Sequence, residues 1–254
     1  MEATAAARPS ISVILPTYNE KDNIVPLVEQ VFRSLGDSAE VIVVDDNSPD
    51  GTWAVVEQLA GKYGGLRLIR RTSERGLVSA LRAGIDLAAS DVVAWMDCDL
   101  SMPPALLGNF LNKISEGYDM VFGSRFIPGG GVEIITGSKD SASAYLLSRT
   151  LNRFIQAWLG PGVRDYTSGF VVVKKQVVQE TGLRGDYGEY FIALAHLAKK
   201  RGYRILEVPY VSLSRRMGTS KTGTNILQYL RRGRKYLWLT LKLRFSRAYP
   251  GKGR

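Results

Sequence analysis

An α/β fold with a mostly parallel central sheet and helices on both faces follows from two features of this chain. Through the first hundred residues, short apolar runs alternate with segments of helical period, the pattern of a parallel sheet whose crossovers are helices. The most telling run is Val92-Val93-Ala94-Trp95-Met96, apolar throughout as strands buried on both faces are. It stops at Asp97-Cys98-Asp99. Two carboxylates at the carboxyl end of a buried strand have no packing role there, and that end is where open α/β sheets bind ligands.

Ile11–Pro16 reads as the first strand and Lys21–Leu35 as a helix with Leu27, Val28, Val31 and Leu35 on one side. Glu40–Val44 is a second buried strand, followed by a helix from Thr52 to Tyr63, a short strand at Leu66–Arg70 and a helix at Leu77–Ala88. Beyond Asp99 the pattern loosens. Pro103–Ser115 is expected as helix and Met120–Gly123 as strand. Ile127–Ser143, rich in Gly and Ser, reads as a mobile loop whose Gly129-Gly130-Gly131 run is too flexible for a fixed element. Tyr145–Leu159 then reads as helix, Gly169–Lys174 as strand, Tyr190–Arg201 as helix and Ile205–Val211 as strand. The expected division is a flexible N-terminus over 1–10, one domain over 11–225 and a basic amphipathic tail over 226–254.

The chain has 254 residues and a formal net charge of +10, unevenly placed. After Glu207 there is no acidic residue, yet that stretch holds twelve of the 34 Lys and Arg, leaving 22 basic against 24 acidic residues before it. In the tail the cations are mixed with Ile226, Leu227, Leu230, Tyr236, Leu237, Trp238, Leu239, Leu241, Leu243 and Phe245. Such a mixture suits contact with an anionic membrane surface, each Lys or Arg there contributing on the order of 1 kcal/mol. A helix packed on the domain with a solvated basic face is the alternative. Ile226, Leu230, Leu237 and Leu241 share a helical face, whereas Leu237, Leu239, Leu241 and Leu243 alternate as a strand would. Nothing before the tail serves nucleic-acid binding. The longest uncharged stretch, Leu100 to Asn112, contains two prolines and falls short of the ~18 apolar residues of a membrane span. Met1 to Ser10 lacks the apolar core of a signal peptide. The single cysteine, Cys98, excludes an internal disulfide and fits a reducing compartment, so the expected location is cytoplasmic.

Mg²⁺ and Mn²⁺ prefer oxygen ligands, and Mg²⁺ is held by one or two carboxylates together with substrate phosphates. The first reading of Asp97 and Asp99 is therefore a metal–diphosphate site. Three more polar segments fall at strand ends: Pro16-Thr17-Tyr18-Asn19-Glu20, Asp45-Asp46-Asn47-Ser48-Pro49-Asp50-Gly51-Thr52, and Gly123-Ser124-Arg125. In the second, Ser, Asp and Thr could equally cap the next helix. Several polar loops at the carboxyl ends of one sheet form a single crevice.

These motifs, in this order and spacing, resemble the inverting family-two glycosyltransferases of GT-A fold. Asp165-Tyr166-Thr167-Ser168-Gly169 and Arg215-Arg216-Met217-Gly218-Thr219-Ser220-Lys221 narrow the resemblance to the dolichol-phosphate (polyprenol-phosphate) mannosyltransferases. The resemblance implies a GT-A domain, GDP-mannose as donor, dolichyl or another polyprenyl phosphate as acceptor, and Mg²⁺ or Mn²⁺ as cofactor. A membrane-spanning partner subunit serves some relatives. Carried over by residue, it puts the nucleotide against Pro16, Tyr18, Glu20, Val44 and Asp46, and the diphosphate and metal along Asp97, Cys98 and Asp99, with Asp99 the direct ligand and Ser101 near it. Arg125 and Arg215 would face the sugar or phosphates and Lys221 the diphosphate. Where the family carries a basic cluster for the acceptor phosphate, this chain has Ser138-Lys139-Asp140-Ser141, which leaves Ser148 and Arg149 as the acceptor-phosphate candidates.

The acceptor decides whether a base is required. A sugar hydroxyl must lose a proton to a positioned group, for which Glu189 and Asp165 are the candidates. A phosphate monoester, with a second pKa near 6, is already largely a nucleophilic dianion at neutral pH. His196 lies in an apolar helix and reads as structural. UDP-glucose as donor, or a sugar hydroxyl as acceptor, is the alternative within the same fold.

Overall fold

The computed structural model describes residues 10–133, 139–213 and 226–245, without side chains at 139–144 and 226–232. Its strands are β1 (Ile11–Thr17), β2 (Ala39–Asp45), β3 (Leu66–Arg70), β4 (Val92–Trp95), β5 (Met120–Ser124), β6 (Gly131–Val132), β7 (Val171–Lys174), β8 (Ile205–Pro209) and β9 (Val211–Ser212). The helices are α1 (Lys21–Leu35), α2 (Thr52–Ala60), α3 (Leu77–Leu87), α4 (Leu107–Ser115), α5 (Lys139–Leu159), α6 (Lys175–Thr181), α7 (Tyr190–Lys200) and α8 (Ile226–Phe245). Seven strands form one sheet in the order β3-β2-β1-β4-β7-β5-β8. Only β7 runs against its neighbours; every other pair in the sheet is parallel. Both β4 and β5 are antiparallel to β7, so their carboxyl ends emerge on the same edge.

Successive side chains of a strand face opposite sides of the sheet, and the core divides accordingly. Ile14, Val44, Val93 and Trp95 pack with Leu81 of α3, Val177 of α6 and Ile192 of α7. Val13, Leu15, Val43 and Ala94 pack with Leu27 of α1 and Phe110 of α4 on the other side. The sheet order reverses between β1 and β4, the switch point at which open α/β sheets form their ligand crevice. One close approach holds α3 against this region: a Cβ on Gly84 would lie 2.5 Å from Ile14 Cγ2 and 3.2 Å from Val44 Cγ2.

The Gly129–Gly131 run is not the flexible segment its composition predicts. Gly131 and Val132 pair in parallel with Val211 and Ser212, and Gly131 N–H donates to Tyr210 O at 3.0 Å. A Cβ on Gly130 would meet Ser124 O at 2.4 Å. Glycine is there to let two backbones approach, not to supply mobility. The helix expected from Tyr145 begins at Lys139, and the strand expected over 205–211 splits at Tyr210, whose N–H donates to Ser124 O at 3.1 Å. The short helix α6 has too few residues to show a helical period.

The tail is helical over Ile226–Phe245 and packs on α5 and α7. Leu239, Thr240 and Leu243 are buried, with Tyr236 partly so, which is an i, i+3, i+4, i+7 stripe. Of the expected helical face, Ile226 and Leu230 lie among the residues without side chains, and the other two point outward. Leu237 and Leu241 are exposed, beside Trp238 and Phe245. Replacing Gly84 by Ala tests the contact that seats α3. The helix gains about 1 kcal/mol of propensity, but overpacking of about 1–3 kcal/mol opposes it, so the melting temperature is expected to fall by a few degrees in a thermal unfolding scan.

Candidate active site

The loops after β1 and β2 are built as one unit. Asp45 is fully buried, and its carboxylate accepts hydrogen bonds from the Thr17 hydroxyl (2.9 Å), the Ser48 hydroxyl (2.6 Å) and Ser48 N–H (2.8 Å). The Ser48 hydroxyl oxygen in turn accepts from Asn19 N–H at 3.0 Å, and the Thr52 hydroxyl oxygen from Glu20 N–H at 3.0 Å. Asp50 accepts from Thr52 N–H and from Lys21 N–H, so it serves the first turns of α2 and α1 together. Of the Ser, Asp and Thr read as possible caps of the next helix, only Asp50 accepts from its first turn; the N-cap position is Gly51, and Ser48 and Thr52 hold the loop after β1 instead, next to Pro16, Tyr18 and Glu20.

Asp46, the next residue, is held differently. Its Oδ1 accepts from Nε of Arg71 at 2.7 Å and from Nη2 of the same guanidinium, and its Oδ2 accepts from Gly76 N–H at 2.8 Å. Arg71 is buried and also reaches the Ser79 hydroxyl at 2.8 Å. The sequence motifs gave no sign of Arg71; the single available signal is its place at the carboxyl end of β3. Beside it, the Arg75 guanidinium lies 5.3 Å from the Tyr18 ring centroid. Val44 presents no side chain to this space, because that side chain is fully buried in the core.

The two acids after β4 differ in setting. Asp97 is exposed, whereas Asp99 is buried and its Oδ1 accepts from Ser101 N–H at 3.0 Å. Ser101 thus braces Asp99 through its backbone. The Cys98 thiol, also buried, donates to Pro16 O at 3.4 Å and ties this loop to the end of β1. This buried contact gives Cys98 a structural role in joining the two loops. Among the described residues no group of three or more His, Cys, Asp or Glu could hold an ion unaided. The donor set fits an ion that shares its coordination with a diphosphate. Gly169 leaves the face of Asp97 open: a Cβ there would sit 3.7 Å from Oδ1 and 3.9 Å from Oδ2.

Across the crevice Arg125 forms a two-pronged pair with fully buried Asp165, Nε to Oδ2 at 2.8 Å and Nη2 to Oδ1 at 2.9 Å. Burial opposes both charges. The Arg125 charge nevertheless holds the Asp165 pKa below its ordinary value, and Asp165, with a smaller contribution from Asp97, raises that of Arg125. Nη2 also donates to the Thr167 hydroxyl at 2.9 Å, and that hydroxyl lies 3.2 Å from the Ser148 hydroxyl and 2.9 Å from Asn152 Nδ2. Ser148 is thereby joined to Arg125, while Arg149 on the next position of α5 is exposed. Arg215 and Lys221 lie outside the described residues. Burial, with Lys200, Lys199 and Arg244 nearby, lowers the His196 pKa to about 4, so this imidazole is neutral, in keeping with a structural role.

A nucleotide-type crevice at the switch point of a mostly parallel sheet, with two carboxylates after the fourth strand, is the GT-A arrangement. The glycosyl transferase family 2 model matches residues 12–182, and the chain belongs to that family. It is 36% identical over 225 residues to the dolichol-phosphate mannosyltransferase of Pyrococcus furiosus, covering 87% of this chain and 62% of that one, so it spans under two thirds of that relative's length. It is 34% identical to the polyprenol monophosphomannose synthase of Mycolicibacterium smegmatis, over 89% of this chain and 86% of that one. These relatives bear out the resemblance carried by the motifs. Among solved structures, glucosyl-3-phosphoglycerate synthase of Mycobacterium tuberculosis with Mn²⁺ and UDP superposes with a TM-score of 0.66 at 20% identity, over 94% of this chain and 80% of that one. Its complex with Mg²⁺ and UDP gives 0.65 at 21%, with the same coverage. The likeness to these two is one of fold.

Replacing Asp165 by Asn leaves Arg125 charged without its partner, a loss of about 3–5 kcal/mol for a buried pair. The sign with pH is fixed by the lowered Asp165 pKa. The pair's contribution is complete above the unfolded carboxylate value near ~4 and disappears as pH falls through the folded value. Thermal melts should show a wide gap between parent and variant at pH 7, and a narrowing gap as the scan is repeated towards pH 3.

Proposed function

We propose that the chain transfers mannose from GDP-mannose to a dolichyl or other polyprenyl phosphate, inverting the anomeric centre to give the β-linked lipid mannosyl phosphate, at the cytosolic face of a membrane. The names of its two relatives support the mannosyl and polyprenyl parts of this reading. The geometric observation that carries it is the Arg125–Asp165 pair. A carboxylate whose pKa is lowered by a buried guanidinium is a poor base, so Asp165 is unsuited to deprotonating a hydroxyl. A phosphate acceptor needs no base and does need a fixed cation. Arg125 meets that need: Asp165 and Thr167 occupy Nε and Nη2, and Nη1 has no partner among the described residues.

Asp97 and Asp99 would hold Mg²⁺ or Mn²⁺, which when bound supplies positive charge to the leaving diphosphate. Asp99 is braced by Ser101 N–H, and Asp97 is exposed beside it, where it would meet the incoming donor. Pro16, Tyr18, Glu20 and the Arg71-held Asp46 line the side of the crevice suited to the nucleoside. Arg215 and Lys221 join the proposal as phosphate ligands on sequence grounds.

Among the described residues no helix is long and apolar enough to cross a membrane. Peripheral contact is supported by exposed apolar side chains on two packed helices. Leu146, Leu147 and Trp158 of α5 are exposed, as are Leu237, Trp238, Leu241 and Phe245 of α8, and Trp158 meets Phe245 edge-on at 6.3 Å. Arg234, Lys242 and Arg244 are exposed on the same helix. Apolar groups that enter a headgroup layer with cations beside them are the pattern of interfacial helices.

The direct test is transfer of label from GDP-mannose to dolichyl phosphate with Mn²⁺ or Mg²⁺, with EDTA as control and UDP-glucose alongside. Label in the lipid phase from GDP-mannose alone, abolished by EDTA, is expected. Asp99→Asn should cost at least about 10²-fold in turnover, the several kcal/mol that a lost metal ligand is worth; near-normal turnover removes the metal from the mechanism. Because Leu239 and Leu243 are core residues, the membrane role is tested by point changes and not by truncation. Leu241→Glu with Phe245→Glu should weaken sedimentation with anionic vesicles far more than turnover on a short-chain soluble acceptor.

A further inference from the structure

Resting on the proposed place of Arg125 at the acceptor phosphate, we infer that Glu207 is a positioning residue for that phosphate. From β8 it fixes the backbone at Asp165, and through Asp165 the direction of the Arg125 guanidinium. The segment joining α5 to β7 is built of turns and irregular backbone. Four successive N–H groups in it are taken by side chains. Arg164 N–H donates to Glu207 Oε2 at 2.7 Å, and Asp165 N–H donates to Glu207 Oε1 at 3.0 Å. Tyr166 N–H donates to Asn152 Oδ1 at 2.6 Å, and Thr167 N–H to Asp165 Oδ1 at 3.1 Å. Glu207 thus holds the residue whose own carboxylate orders Arg125 and Thr167.

The type of side chain matches this task. Two adjacent N–H donors need two acceptors, which a carboxylate offers and an amide does not. The carboxylate stands there against its surroundings. Burial raises the Glu207 pKa and the Asp165 charge adds to the rise, against the N–H groups of Arg164 and Asp165 that lower it. A glutamine would escape both costs and lose one acceptor. The strand is also the right one to anchor from. β8 runs parallel to β5, with Glu207 opposite Phe122 and Pro209 opposite Ser124, the residue before Arg125. One strand therefore registers Arg125 through the sheet and Asp165 through the Glu207 carboxylate, and the two meet as the ion pair. Misplacing a reacting group by ~1 Å costs about 10²-fold, so a loose Asp165 matters even where the fold survives. The wall that carries Asp46 and Arg71 follows β2 and β3, at the far end of the sheet from β8, and is outside the reach of this device.

Binding of farnesyl phosphate, a short-chain polyprenyl phosphate, and separately of GDP with Mg²⁺ is measured by calorimetry on the full chain. The proteins are the parent, Glu207→Gln, Arg125→Lys and the double variant. Arg125→Lys keeps a cation beside buried Asp165 and removes Nη1, and should weaken farnesyl phosphate by about tenfold, as the loss of a hydrogen bond to a charged group does. Glu207→Gln should weaken it by about fivefold and leave GDP binding within about twofold of the parent. In the double variant farnesyl phosphate should bind as it does to Arg125→Lys alone, because a residue that acts through Arg125 has nothing left to position. GDP weakened in step with farnesyl phosphate, or losses that multiply in the double variant, gives Glu207 a merely structural role and overturns the inference. Unchanged farnesyl phosphate binding in Glu207→Gln, with Arg125→Lys impaired, overturns it as well. Unchanged binding in Arg125→Lys, or none in the parent, is a different failure: it overturns the proposed acceptor reading, and the role of Glu207 falls with it.

Discussion

Arg125 and Asp165 meet where β5 ends, and one wall of the crevice takes its shape from that meeting. The Asp165 carboxylate also accepts from the backbone N–H of Arg125 and of Thr167, at 3.1 Å each. One carboxylate thus fixes the end of β5, the loop that leads into β7 and the guanidinium between them. The Thr167 hydroxyl carries the order onward to Ser148 and Asn152 of α5. Two buried charges are expensive to desolvate, and a well-packed apolar pair of the same volume is often no less stable. What the ion pair supplies beyond stability is a planar cation whose orientation is fixed and whose Nη1 has no hydrogen-bond partner among the described residues.

The opposite wall of the crevice uses acidic residues in a divided way. Asp45 and Asp46 are neighbours, yet Asp45 is spent on closing the loops after β1 and β2, and Asp46 is gripped by Arg71. The division follows from position. Asp45 is the last residue of β2, in register with Thr17 of β1 and Arg70 of β3, so it is enclosed by strands on both sides. Asp46 lies one step beyond the sheet and meets Arg71, one step beyond β3. Asp97 and Asp99 are divided by exposure, one open and one tucked under Ser101 N–H. In the first pair both acids are held by donors of the protein, whereas in the second Asp99 is braced and Asp97 lies exposed.

Where a residue's role depends on strand order and burial, the sequence was legible. Val92–Trp95 could be read as a buried strand, and the acid pair placed at its carboxyl end, because both follow from hydropathy and the geometry of parallel sheets. Roles that depend on a single long-range partner were hidden. Arg71 looks like any arginine after a strand until Asp46 is seen beside it. The Gly129–Gly131 run was misread because a glycine's freedom and a glycine's thinness leave the same letter, and only the lack of room for a Cβ between Gly130 and Ser124 O tells them apart. On α8 the leucines at 237, 239, 241 and 243 fit two periods equally well. Burial of Leu239 and Leu243, one helical turn apart, decides for the helix and turns Leu237 and Leu241 outward.

A polyprenyl phosphate imposes a geometric demand that a soluble acceptor does not: its reactive phosphate sits at the headgroup level while its tail stays in the bilayer. An enzyme for that acceptor must bring its crevice within a few ångströms of the layer its surface touches. In the proposed reaction α5 meets this demand within one turn. Ser148 faces inward to the Thr167 hydroxyl that Arg125 also contacts, and Leu146 and Leu147 face outward, 65% and 48% exposed. The Trp158–Phe245 contact extends the outward surface onto α8, and α8 is anchored to the core through Leu239 and Leu243. A tethered tail acting as a loose anchor would leave the crevice at a variable height above the membrane. In the proposed docking, a helix packed on α5 and α7 would fix the height, and so would couple the docked surface to where a phosphate reaches Arg125.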